Sequence, residues 1–195
     1  MNDNRSDYRH EAAPSQTQLV LRRHPESGEL VETHLRWGFI PHSSLTRPAI
    51  QPIHVRAETI AEKPMFAEAY RKRRCVVPMN SFYEKDSQGR RHVISRRDGA
   101  LFGAAGIWDN WFNTATNQWE RTFAIITVDA NELITPIHDR MLAILHMSEV
   151  QRWLSNDEDP GELLRPYPSD SMIAELAKAG KQRKRRGSDG PSRLL

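Results

Sequence analysis

The sequence holds one cysteine, Cys75, so no internal disulfide can form, and a reducing cytoplasm suits it. No apolar run approaches the about 20 residues that a membrane-spanning helix needs. The opening stretch from Met1 to Pro14 is polar and lacks the apolar core of a secretory signal. No glycine-rich phosphate loop and no internal repeat is present, which argues against P-loop or dinucleotide-cradling chemistry and against solenoid architectures.

What is there reads as a folded chain. Its 195 residues are 38% hydrophobic and 27% charged, enough for one domain with a substantial core. The net charge of +3 is unevenly spread. Residues 174–195 carry +5 and the remainder carries −2, so any nucleic-acid binding by the body requires a local basic cleft. The expectation is a single domain over residues 1–170 and a basic, disordered tail over 171–195. The Lys181–Arg186 run in that tail is either a solubilising extension, a localisation signal or a non-specific DNA contact.

Leu19 to Leu21 reads as a strand, Pro25 to Glu29 as a turn, and Leu30 to Trp37 as the returning strand of a hairpin. Pro64 falls in the first turn of a helix with Met65, Phe66, Ala69 and Tyr70 on its apolar side. Short strands follow at Cys75–Pro78, Ser81–Glu84, His92–Ser95, Leu101–Trp108 and Phe123–Val128, and another at Met141–Leu145. Asn131–Ile134 reads as helical, and Ser148–Leu154 as a capped amphipathic helix. Many short strands with few helices predict an α+β fold: a curved, barrel-like, mostly antiparallel sheet with a few flanking short helices.

Three segments place titratable side chains at element boundaries, where functional residues tend to sit: His54–Thr59, Asn80–Glu84 and Pro136–Met141. Strand alternation sends Glu84 the same way as Phe82. An inward carboxylate is costly unless paired or protonated. Glu84 is therefore either a general acid or base or a structural partner of Arg56 or Arg140. His138 is either a pH-poised catalytic group or a turn histidine bonded to backbone. Arg56 and Arg140 either grip phosphates or pair internally with Glu58 and Asp139. Trp37 either stacks on an unpaired base or belongs to the core. A metal site at His54, Glu84 and His138 has no ligand-spacing signature to support it. Cys75 reads as a small buried hydrophobe.

In collinear order these segments resemble the SRAP family, the SOS-response-associated peptidases that process abasic sites in single-stranded DNA. Arg36–Pro41 (RWGFIP) resembles the family's RWGLIP, and His54–Thr59 (HVRAET) its N-[AV]-R-x-E-T. Arg73–Pro78 (RRCVVP) with Ser81–Glu84 (SFYE) is similar to RRC-x-x-P…FYEW. Phe102–Trp108 resembles FAGLW, and Ile137–Met141 (IHDRM) with Ile144 and Leu145 resembles IHDRMP-x-IL. The match spans about Ala13 to Trp153.

The resemblance implies an SRAP-like fold, single-stranded DNA with abasic sites as partner, no cofactor, no metal, no membrane, a monomer, and a cytoplasmic location with the nucleoid if the source is bacterial. It further implies an autopeptidase with lyase-type chemistry. In the family an N-terminal cysteine, exposed behind the initiator methionine, condenses through amine and thiol with the abasic aldehyde to give a thiazolidine crosslink. A glutamate and a histidine move protons, an asparagine hydrogen-bonds the adduct, and arginines hold phosphates. By position these are Glu84, His138, His54 in the asparagine place, and Arg56 and Arg140, with Trp37 a candidate for the bases.

Four positions depart from the pattern. Asn2 stands where the cysteine is expected, His54 where asparagine is, Lys85 where tryptophan follows the glutamate, and Leu142 where proline follows the methionine. Two expectations follow: a Met-Cys start upstream of Met1, or a degenerate paralogue that binds single-stranded DNA without capturing it covalently.

Overall fold

A computed structural model describes residues 12–155 and 159–177. The chain begins with the hairpin read from the sequence, β1 (Thr17–Arg23) and β2 (Leu30–Trp37), paired antiparallel from Thr17↔Arg36 to Arg23↔Leu30. Its turn closes through the His24 N–H to Glu29 carbonyl bond at 2.8 Å, with Gly28 at φ 70, a conformation open to glycine at no steric cost. Next come β3 (His54–Arg56), α1 (Ala57–Ile60) and α2 (Pro64–Lys72), the last with its proline in the first turn and Phe66, Ala69 and Tyr70 buried.

Five strands close into a barrel. β1 pairs with β4 (Arg74–Met79), β4 with β7 (Phe102–Asn113) and β7 with β8 (Gln118–Asp129), all antiparallel. β8 then meets β2 in parallel at Arg36↔Thr122 and Trp37↔Phe123, which completes the ring. Directly paired residues share a face, so Val20, Leu35, Cys75, Val77, Ala104, Gly106, Phe123 and Ile125 fall on one side, the barrel interior, where all of the non-glycine members are buried. The space is tight. A Cβ added at Gly106 would lie 2.9 Å from the Ala124 carbonyl oxygen and 3.1 Å from Cys75 Sγ. The α2 helix and α3 (Val150–Leu154) cover the outside.

Two elements extend β8 beyond the ring: β3 runs parallel to it and β9 (Arg140–Leu142) antiparallel. After Asn80 the chain leaves the barrel for a three-stranded sheet of β5 (Ser81–Lys85), β6 (Arg91–Arg96) and β11 (Met172–Leu176), in the order β11-β6-β5. The α+β architecture, with its curved barrel-like sheet and few short helices, agrees with the sequence reading.

Three local expectations are corrected. Asn131–Ile134 is a run of turns, because the Asn131 side chain accepts the Ile134 N–H at 3.0 Å and donates to the Tyr167 carbonyl at 2.7 Å. The strand expected over Met141–Leu145 splits at Ala143, where the chain steps from β8 to β7. Its N–H bonds the Ile126 carbonyl and its carbonyl takes the Ala105 N–H, so that β10 (Ile144–Leu145) pairs with β7. The domain does not end at residue 170: β11 lies within the expected tail and pairs with β6 from Met172↔Arg96 to Leu176↔His92. The disordered basic tail itself falls on residues 178–195, outside the described ones.

Candidate active site

Between the barrel and the small sheet lies a cavity of about 410 Å³, in the range of small-ligand clefts. Trp37, His54, Phe123, Ile125 and Leu142 form its barrel side, and Asn80 to Glu84 with Arg91 form the other. Ala12 and Pro14 complete the wall, so the described chain begins at the cavity.

The pairing of β3 with β8 places His54 beside Ile125 and Arg56 beside Thr127, with Val55 turned into the core between them. His54 and Arg56 thus share the outward face. The His54 ring lies 5.8 Å from that of Trp37. Burial lowers the His54 pKa, and the charge of His138 lowers it further. Trp37 combines both alternatives left open by the sequence. Its ring stacks on Phe123 at 6.2 Å and its indole N–H donates to the Ile53 carbonyl at 2.9 Å, yet it also forms cavity wall.

Glu84 sits on β5 on the same side as Phe82, half-buried in the cavity wall. Among the described residues it has no hydrogen bond and no ion pair. Burial pushes its carboxyl above the usual range; His138 pulls the other way and Asp139 adds to the rise. The structural alternative, a salt bridge to Arg56 or Arg140, is absent. Arg140 is engaged elsewhere: its guanidinium grips Glu58 through bonds of 2.8 and 2.9 Å, Asp129 at 2.5 Å and the Thr127 carbonyl at 2.8 Å. That pairing makes Arg140 a strut between α1 and β8 and leaves its fork occupied. Arg56 is exposed and makes no hydrogen bond among the described residues, so its donors stand open to solvent.

His138 ends the turn before β9. Its Nδ1 receives the Arg140 backbone N–H at 2.9 Å, so in the neutral ring the proton rests on Nε2, an assignment made from the hydrogen bond. Asp139 Oδ1 stands 3.2 Å from the same Nδ1. His138 is not part of the cavity wall, but its charge reaches both Glu84 and His54. Glu84 and His54, from β5 and β3, therefore line one cavity, with His138 within electrostatic reach of both. Among the described residues no group of His, Cys, Asp or Glu is arranged to hold a metal ion. Cys75 is fully buried, and burial pushes its thiol up, which leaves it inert.

The structure adds Arg91, whose guanidinium lies 3.6 Å above the Tyr83 ring on the cavity wall. Its position follows from the β5–β6 register, Lys85↔Arg91 and Glu84↔His92. That register is locked by Asp86, which accepts the N–H groups of Gln88 and Arg90 and bonds the Arg90 and His92 side chains. The turn residues Asp86–Gly89 were the signal in the sequence from which this pairing could be counted.

A barrel with this parallel seam, a side sheet and a Glu–His cavity between them defines the class. The family model of SOS response associated peptidase (SRAP) matches residues 1–179, and the chain belongs to that family. Among its relatives, the abasic site processing protein YobE of Bacillus subtilis is 36% identical over 171 residues, covering 83% of this chain and 77% of YobE. The abasic site processing protein HMCES of Xenopus tropicalis is 27% identical over 166 residues, 72% of this chain and 50% of HMCES. A crystal structure of a Bacteroides thetaiotaomicron protein superposes with a TM-score of 0.74 at 30% identity, covering 84% of this chain and 75% of that one. One from Bordetella bronchiseptica gives 0.74 at 29%, covering 85% and 86%.

Proposed function

We propose that this chain processes abasic sites in single-stranded DNA, with the unpaired nucleotide seated in the cavity between barrel and side sheet. The observation that carries the reading is Glu84: a carboxyl without partner among the described residues, half-buried, in the same cavity wall as His54 and within reach of the charge of His138. Such a group costs stability and serves no packing purpose, which is the signature of a catalytic acid.

The reacting group is the aldehyde of the ring-opened deoxyribose. The N-terminal amine attacks C1′, and the carbinolamine loses water to leave an imine. Glu84 in its acid form gives the proton to the departing oxygen. A histidine, His54 with its lowered pKa or His138 through Nε2, then takes a proton from C2′. The electron pair expels the 3′ phosphate, which is a lyase step, and hydrolysis of the imine returns the amine. Where the attacking residue carries a thiol, as the family's N-terminal cysteine does, the thiol adds across the imine and closes a thiazolidine instead. Cys75 cannot do this, being internal and enclosed. Arg56 holds a phosphate beside the sugar, as an open guanidinium fork does well. The reading carries with it a cytoplasmic location, with the nucleoid if the source is bacterial.

Incubation with an abasic single-stranded oligonucleotide, with and without borohydride, followed by denaturing electrophoresis, tests the reading. Strand cleavage or a trapped adduct on abasic DNA, and neither on undamaged DNA, is the expected result. Tight binding with no change to either molecule would leave only a non-covalent binding module, and no preference for abasic DNA would overturn the assignment.

A further inference from the structure

We infer that the opposite end of the barrel carries a second contact for single-stranded DNA, separate from the cavity that holds Glu84. The strands that build the first cavity deliver different residues to a second one of about 680 Å³. β1 gives Gln18 and Leu19 to the first and Arg23 to the second; β8 gives Phe123 and Ile125 to the first and Trp119 to the second. Five residues of β1 separate Gln18 from Arg23, roughly 17 Å at the usual strand rise. The two cavities thus lie at the two mouths of one barrel.

The lining combines cations with aromatic faces. Arg23 and Lys72, the latter 3.8 Å from Glu68, share it with Trp108, Phe112 and Trp119. Trp119 is 64% exposed, on the arm of the β7–β8 hairpin that runs past the barrel, with its ring 5.1 Å from that of Phe112. An exposed tryptophan backed by a second ring is a platform for a flat ligand.

The charges ask for an anion. Among the described residues Arg23 bonds only neutral acceptors, the Gly28 carbonyl at 2.7 Å and Gln151 Oε1 at 2.9 Å, and no carboxylate pairs with it. Behind Trp108 lies Arg22, 4% exposed, its guanidinium 4.5 Å from the Trp108 ring centroid. Among the described residues its hydrogen bond goes to the Arg23 carbonyl, its buried Nε has no partner, and the charge of Arg121 repels it. The acidic residue of the cavity, Asp109, is already held by Arg73 at 3.0 Å and by His42 at 3.1 Å. Stacking rings beside an arginine that pairs with no carboxylate among the described residues suit single-stranded nucleic acid: bases on the rings and a phosphate on the Arg23 guanidinium, with Arg22 adding positive charge from beneath. The inference rests on the reading that this chain acts on DNA, and it extends that reading from one nucleotide to a strand long enough to reach both mouths.

The test uses the full chain and undamaged DNA, so it does not depend on the chemistry. Binding of a single-stranded oligonucleotide of about 20 nucleotides is measured for the wild type, Trp119→Ala and Trp119→Phe, since base stacking on an aromatic contributes about tenfold or more in affinity. Trp119→Ala is expected to weaken binding about tenfold and Trp119→Phe to stay close to wild type, because Trp119 is exposed and its loss leaves the fold intact. Processing of an abasic oligonucleotide of about three nucleotides, which stacked at about 3.4 Å each falls short of the distance between the mouths, is expected to be the same in all three. Equal affinity of Trp119→Ala and wild type for the longer strand would overturn the inference, as would an effect of Trp119→Ala confined to free mononucleotide. Failure of the abasic reaction, with the Trp119 effect retained, would count against the proposed function alone.

Discussion

Glu84 and His54 pull in opposite directions on titration, and both can be tested on stability. The folded-state pKa of Glu84 is raised by burial. Its ionised form is therefore disfavoured in the native state, and the protein is weakened as pH rises through that range. Glu84→Gln removes the cost, so at pH 7 it is expected to raise Tm by roughly 1–3 °C. Below about pH 4 the difference should disappear, because the glutamate is then neutral in both states. The folded-state pKa of His54 is depressed, so its contribution is present above about pH 6.5 and is lost as pH falls through the depressed value. His54→Asn is expected to flatten the decline in thermal stability between about pH 6.5 and pH 5, as followed by circular dichroism. A wild-type slope in His54→Asn would contradict the burial argument.

At the scale of elements, two side-chain placements hold the site in shape. Arg140 ties β9 to α1 and to the end of β8, and so fixes the turn that carries His138. Arg140→Ala is expected to cost about 1–3 kcal/mol in urea unfolding, with Thr127 losing its donor and Glu58 its partner. Gly106 allows β4, β7 and β8 to approach closely inside the barrel, and Gly106→Ala is expected to destabilise by about 1–3 kcal/mol, because the crowded atom is a backbone oxygen that cannot swing aside. Elements of this kind were only partly legible in the sequence. The β1–β2 hairpin, the proline-started helix and the apolar run of β8 announce themselves through turn chemistry and periodicity. The break at Ala143 does not, since an alanine within Met141–Leu145 looks like any strand residue until two partners claim it. β11 was hidden because five weakly alternating residues run straight into a basic segment, whose charge dominates the composition there.

Across the whole molecule, the meeting of Glu84 and His54 in one cavity, within reach of the charge of His138, depends on β5, β3 and the turn before β9 being brought near one another by barrel closure and by the side sheet. Spacing along the chain, 30 residues from His54 to Glu84 and 54 from Glu84 to His138, carries no trace of that meeting. Motif resemblance supplied the residues and the fold supplied their proximity. For Arg140 the sequence leaves phosphate binding and internal pairing open, and the fold brings Glu58 and Asp129 to its guanidinium. Arg56, by contrast, stands open, and its substitution by alanine is expected to weaken single-stranded DNA binding and to lower the slope of log affinity against log salt by about one phosphate contact, roughly 0.7.

The most direct measurement is the rate at which Glu84→Gln processes abasic single-stranded DNA, compared with wild type under the same conditions. General acid–base catalysis by a positioned side chain contributes about 10²–10⁴-fold. The account predicts a fall of at least about 10²-fold in a variant that is folded, as stable as wild type or more so, and still able to bind the DNA. A Glu84→Gln protein that reacts at the wild-type rate would contradict it.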